Sequence, residues 1–239
     1  MAHDPEPALV ALDAAIRRID APAAMRDDLG AFLRRHGVVG DDLTALSGVG
    51  AERILVYRAL VHNRLRTATR EFIPRAAARR GRVGFRADFD AFMDERASTS
   101  AFLREVPGEF VAWVLPRWAA DAALPGFLGD LARHELLDTE VRNDPHGGDL
   151  PSGVAIDLEL PLRFDGSTRL MRYDWAVHEL QLEVDDTAVP PQRPTRLLVF
   201  RDAAIKVRYL ELTPWAAAVL EQLLVARRPV REGLLAAAA

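Results

Sequence analysis

Near residue 145 the spacing of apolar side chains changes from helical to alternating, which splits the chain into two kinds of structure. Before that point the pattern predicts helices at PALVALDAAIRRID and AAMRDDLGAFLRRHG, the second stopped by Gly37. Residues 51–72 form the strongest segment, with Ile54, Val61, Leu65, Ala68 and Phe72 on one stripe, and Pro74 ends or re-aims it. Further helices are expected at 85–96, at 107–120 with a kink or early stop at Pro116, and at 125–141, led by Pro125. Asn143 to Gly153 reads as a linker because its Gly, Pro, Asp and Asn residues favour turns and cannot fill a core.

Beyond the linker the period is two. In AIDLELPLRF, Ile156, Leu158, Leu160, Leu162 and Phe164 alternate with Asp157, Glu159, Pro161 and Arg163. That pattern predicts a strand, placed at a sheet edge because Pro161 lacks an amide donor. MRYDW and ELQLEV are further strand candidates, and RLLVF and IKVRYLEL make a hairpin across Asp202-Ala203-Ala204. TPWAAAVLEQLLVARRP closes the sheet with a helix capped by Thr213 and opened by Pro214, and a short helix from Val230 follows. The fold class is therefore α+β: a helical bundle over 1–144, then an antiparallel sheet with helices over 154–239.

Composition narrows the chemistry. The chain has 239 residues and no cysteine, which excludes disulfides, thiolate metal sites and cysteine nucleophiles. A formal charge of -4 argues against coating nucleic acid by bulk charge. No run of apolar residues is long enough to span a membrane. The opening MAHDPEPALV lacks a basic region followed by an apolar run, so no secretory signal and a cytoplasmic location are expected. HELLDTE, from His134, approaches a zinc-protease motif, but Asp138 stands where the second histidine belongs, and an ordinary polar helix face explains it better. His146, Asp144 and Asp149 lie in the linker and read as turn residues. No nucleophile–base pair and no phosphate loop is legible, so neither a catalytic nor a metal residue is assigned.

Charge is distributed unevenly. Arg53, Arg58, Arg64, Arg66, Arg70, Arg75, Arg79, Arg80, Arg82 and Arg86 are opposed in their own stretch only by Glu52 and Glu71. Such a run suits phosphate backbone, an acidic protein surface, or a solvated face paired elsewhere. Asp157, Glu159, Asp165, Asp174, Glu179, Glu183, Asp185 and Asp186 crowd the early strands. An acidic edge strand could accept an extended basic peptide, or the charge could protect the edge from pairing.

Four stretches carry a resemblance. VYRALVHNRL (56–65), FDAFMDERASTSAFLREVPGEFVAWV (89–114), LPGFLGDLARHE (124–135), with an acidic pairing position at Glu135, and RPTRLLVFRDAAIKVRYLELTP (193–214) resemble, in order, the signatures of the HvfC-type family, often labelled a DNA-binding domain. Arg64, Ser100 and Leu136 depart from its pattern, where asparagine, proline and tryptophan are usual. YLELTPWAAAVLEQLL, followed by Arg231-Glu232, is similar to the end of PqqD-type peptide-recognition elements, which implies a winged-helix-like module. The resemblance implies a non-catalytic partner of a multinuclear non-haem iron oxidase with a barrel fold, as in methanobactin-type peptide maturation. The iron would belong to the partner, with no cofactor in this chain. It implies that Tyr57, Arg58, Asn63, Arg104, Glu109 and Trp113 face the partner enzyme. Ile156, Leu158, Leu160, Leu197, Val199 and Phe200 would hold the leader of a precursor peptide. The alternative is a DNA-binding transcriptional regulator, but the helix from Trp215 to Ala226 offers Glu221 and no basic residue to read a groove, so nucleic acid is not the expected partner.

Overall fold

The computed structural model describes residues 6–98, 100, 102–148 and 155–238. Along the chain run α1 (Pro7–Arg17), α2 (Ala21–Arg35), α3 (Gly40–Val49), α4 (Ala51–Phe72), α5 (Pro74–Arg80), α6 (Arg82–Glu95), α7 (Val106–Ala120) and α8 (Leu128–Arg142). Then come β1 (Arg169–Trp175), β2 (Gln192–Arg201), β3 (Val207–Glu211), α9 (Pro214–Leu220), a π-helical turn at Glu221–Val225, and α10 (Val230–Ala238). The fold is α+β, helical first and then a three-stranded antiparallel sheet with helices. Contacts gather the chain into two compact units, Met1–Phe72 with Arg80–Asp121, and Ile73–Arg79 with Ala122–Ala239. That line falls at Asp121, earlier than the composition change near 145, because α8 packs on the sheet and covers one of its faces.

The first unit is built on α4, which is flanked by α1, α2, α3, α6 and α7. Its core joins Ala11, Ala15, Met25, Phe32, Leu33 and Val38 to Ile54 and Leu55 of α4. The expected α4 stripe is partly corrected: Ile54 and Ala68 are buried, whereas Val61 and Leu65 are half-buried beside buried Leu55, His62 and Thr69. α2 is two helices joined at Asp28, whose φ of -153° leaves the helical region. Its carboxylate accepts the Ala31 N–H at 2.8 Å, capping the second half. Gly37 ends the helix at φ +83°, as its position suggested. α3 has no buried residue, which is why no apolar stripe announced it. α7 runs on through Pro116 to Ala120. Phe110 of α7 meets Phe85, Phe89 and Phe92 of α6 at centroid distances of 5.4–5.7 Å. Asp88 anchors that core by accepting from Trp118 Nε1 at 2.8 Å and Arg80 Nε at 2.7 Å.

The buried His62 ring joins α4 to its neighbours: Nδ1 lies 3.1 Å from Asp90 Oδ1 and Nε2 lies 2.8 Å from the Ile16 carbonyl. Burial works to raise the Asp90 pKa, but the hydrogen bond from His62 and the charges of His62, Arg86 and Arg66 outweigh it and hold the carboxyl below its ordinary value. A depressed carboxyl stabilises the fold above its unfolded pKa, about 4. That contribution is lost as pH falls through the lower folded value. Melting temperature should therefore drop with acidification below about pH 4, and Asp90→Asn, already less stable at neutrality, should drop less. Parallel acid slopes for the two proteins would show that Asp90 carries no such linkage.

In the second unit β2 is central, between β1 and β3. Tyr173, Leu197 and Val199 point to the face covered by α8, where His134 meets Tyr173 and Tyr209 edge-on or tilted at 5.8 and 5.1 Å. The other face carries α9 and the π-helical turn, with Arg172 paired to Glu221. α10 packs against that turn, and Gly233 permits the approach: a Cβ there would stand 2.5 Å from Leu223. Thr213 caps α9 through the Ala216 N–H, as the sequence indicated.

Two expected strands are corrected. AIDLELPLRF forms no strand: Asp157 Oδ1 accepts the Glu159 N–H at 2.9 Å and its carbonyl accepts from Leu160, so a local turn displaces ladder pairing. Only Pro161 makes a bridge, to Pro229, while Leu160 and Leu158 carbonyls receive the first N–H groups of α10. ELQLEV is likewise irregular, because the carbonyls of Leu180 and Gln181 accept from the Arg75 guanidinium. Of the expected linker, 143–148 is helix end and turn, and Asp149 to Gly153 lies outside the described residues.

Candidate functional site

The two margins of the sheet differ. The Leu212 N–H donates to Arg196 and the Asp202 N–H to Lys206, so even-numbered residues of β3 bond to β2. Val207, Tyr209 and Glu211 therefore turn their N–H and C=O groups outward. Among the described residues no hydrogen bond engages those groups. On β1 the outward residues are Leu170, Arg172 and Asp174. Here α8 intervenes: Asp130 Oδ2 accepts the Asp174 N–H at 2.8 Å and the Trp175 N–H at 3.2 Å, and Arg133 donates to the Arg172 carbonyl. A bulge between Tyr173 and Trp175 disrupts that margin further. The β1 edge is blocked and the β3 edge is open.

Side chains give the open edge two characters. On the α9 side Leu210 is 53 % exposed and Trp215, on the first turn of α9, is 58 % exposed. On the α8 side Tyr209 is half-covered by His134, and its hydroxyl lies 3.4 Å from the Oδ1 of Asp138, whose Oδ2 accepts from Arg142. Burial and then the Asp138 charge push the Tyr209 hydroxyl above its ordinary pKa, so it stays a neutral donor. Burial, then the charges of Arg75 and His178, lower the His134 pKa to about 4, leaving that ring neutral at pH 7. At the end of β3, Glu211 is shared by His178, at 3.2 Å, and Arg193, which also holds Glu179.

These contacts account for the metal-like motif. In HELLDTE, His134 stacks against tyrosines, Glu135 binds Arg75, and Asp138 is taken by Arg142 and Tyr209. His178, Glu179 and Glu211 bring three ligand atoms within 4.8 Å of one another, but the Arg193 guanidinium already occupies both carboxylates.

The sequence-chosen residues land unevenly. Leu197 and Val199 are fully buried on central β2 and cannot touch a peptide; Phe200 is half-buried on the opposite face. Ile156, Leu158 and Leu160 are exposed, yet they belong to the irregular segment before β1, whose Leu158 and Leu160 carbonyls receive the start of α10, and to no strand. Tyr57 and Asn63 are exposed on α4, while Arg58 is spent on the carbonyls of Ala15 and Ile16. Arg104 is exposed and stacks on Phe102, Glu109 is half-buried, and Trp113 is buried beneath the guanidinium of Arg117 at 3.8 Å. The arginine run divides: Arg75, Arg79, Arg80 and Arg86 pair with Glu135, Asp186, Asp88 and Asp90. Arg53, Arg64, Arg70 and Arg82 stay exposed.

Residues 167–239, which hold the sheet with its open edge and both closing helices, match the family model described as the HvfC C-terminal domain. Over this stretch the chain is similar to the HvfC C-terminal domain. No curated protein matches the chain significantly. The match begins just before β1, so α8, which seals the β1 edge, comes from sequence outside it. The open edge itself escaped the sequence reading. IKVRYLEL was legible as a strand, but its place at the margin depends on strand order, which alternation does not encode.

Proposed function

We propose that this HvfC-type chain is a non-catalytic accessory subunit that holds a ribosomally made precursor peptide in extended form along β3. A partner enzyme, a multinuclear iron oxidase with a barrel fold, would modify that peptide. One observation carries the reading: three consecutive outward positions of β3 offer unpaired backbone groups, while the opposite margin is filled by α8. An extended segment adding to β3 gains backbone hydrogen bonds, and its alternating side chains meet Leu210 and Trp215 on one face and Tyr209 and Glu211 on the other. Peptide contact thus moves from Ile156, Leu158, Leu160, Leu197, Val199 and Phe200 to Val207, Tyr209 and Glu211. The HvfC domain supports an accessory role, and the iron and oxygen chemistry is assigned to the partner, so this chain needs no cofactor. A cytoplasmic site of action fits a peptide modified after translation. Among the described residues no helix is long and apolar enough to cross a membrane.

Co-expression with a barrel-type multinuclear iron oxidase and a short precursor peptide, both sought among the neighbouring coding regions, tests the reading. A complex of all three, with micromolar or tighter peptide binding, is expected. Purified chain that binds neither oxidase nor peptide would refute it, as would turnover of the peptide by this chain alone.

A further inference from the structure

α4 leaves one face outside the core of its unit. Val56, Tyr57 and Leu60 are 59, 55 and 62 % exposed, and spacings of three and four residues bring them together on one arc of the helix. Asn63 and Thr67 continue the arc, and Arg53 and Arg64 sit within it, one helical turn from Tyr57 and from Leu60. Arg70 lies at its margin. Among the described residues none of these three arginines has an ion-pair partner, whereas Glu52 at the helix start is taken by Arg26. The neighbourhood is crowded with positive charge: burial, and then the charges of Arg86 and Arg70, lower the pKa of Arg66 despite Asp90 nearby.

We infer that this face of α4 is a docking surface for a protein whose apolar contact area is rimmed by carboxylates. Three apolar side chains at the centre with cationic ones around them match the usual anatomy of a protein interface, in which tyrosine and arginine act as anchors. The charge of the face selects an acidic partner. Phosphate backbone fits worse, because Val56 and Leu60 would be pressed against charged oxygens with no apolar counterpart. The inference rests on the accessory reading for the identity of the partner, the iron oxidase. It moves the contact from Arg58, Glu109 and Trp113 to Arg53, Val56, Tyr57, Leu60 and Arg64.

The test uses the full chain, the oxidase and a labelled precursor peptide, with Leu60→Asp and the double variant Arg53→Glu/Arg64→Glu. Both changes lie on exposed positions, and thermal melts confirm folding. Leu60→Asp is expected to weaken oxidase binding by about 100-fold. The charge reversal should weaken it about tenfold and reduce its salt dependence. Peptide affinity should be unchanged in both, since β3 is untouched. If the native chain binds the oxidase and the variants bind it equally well, the docking face is wrong and the accessory reading stands. If the native chain does not bind the oxidase, both fall. Loss of duplex DNA binding in these variants, with oxidase binding intact, would overturn the inference in favour of nucleic acid.

Discussion

Val207→Pro is expected to weaken peptide binding by about 30- to 1,000-fold while leaving the protein folded. Val207 opens β3, and its N–H points away from β2, so proline there removes a donor the sheet does not use. The first position of a strand tolerates the fixed φ of proline. To a docking peptide the change is severe. It loses one hydrogen bond, leaves a carbonyl unpaired as water is excluded, and meets the pyrrolidine ring at the edge. A lost bond and a stranded acceptor together cost about 2–4 kcal/mol. That is roughly a 30- to 1,000-fold loss of affinity. Fluorescence anisotropy of a labelled precursor, titrated with native and variant protein, measures it directly.

Arg208→Pro supplies the contrast one residue on. The Arg208 N–H belongs to the set that bonds to β2, opposite Phe200, so proline there breaks the ladder and should lower the melting temperature. The pair separates an open-edge function from a general sensitivity of the hairpin. If the Val207 variant binds peptide as well as the native chain, an extended ligand does not add to this margin.

Much of the architecture was legible because it is written in local terms. The Thr213-Pro214 pair marks the start of α9, the Asp202 turn marks the hairpin, and most apolar stripes mark helices. AIDLELPLRF misled for an equally local reason. Its alternation is that of a strand, but the Asp157 side chain competes for the backbone two residues on, and Pro161 cannot donate. α3 was silent because a helix with no buried residue needs no stripe. The site was harder to see. Whether β3 is open depends on Asp130 and Arg133 blocking the other margin, and those residues lie some forty positions from the strand they block. Burial decided the interface residues in the same way: Trp113 looks like an anchor in sequence, and the core claims it.

Glu135→Ala should be the most destabilising single change in the second unit. The Glu135 and Arg75 side chains are 5 and 9 % exposed, 3.1 Å apart at Oε1 and Nε. Glu135 also accepts the N–H groups of Arg75 and Ala76, each at 2.9 Å, so one carboxylate both neutralises the guanidinium and caps α5. Its removal strands a buried cation and two helix-start donors. Breaking a buried pair from one side costs about 3–5 kcal/mol. For a chain of this size that is a fall in melting temperature of roughly 6–20 °C. The Arg75 guanidinium additionally donates to the Gln181 carbonyl at 2.9 Å, tying down the segment that alternation had read as a strand. The double variant Arg75→Met/Glu135→Leu should recover a large part of the loss, because no charge is left without its counterion. Recovery should remain incomplete, since the α5 donors still lack an acceptor. Thermal melts of the four proteins in a double-mutant cycle measure the coupling. Additive effects, with no recovery in the double variant, would mean that the pair is not what makes Glu135 costly to lose, and would leave the capping of α5 as its main contribution.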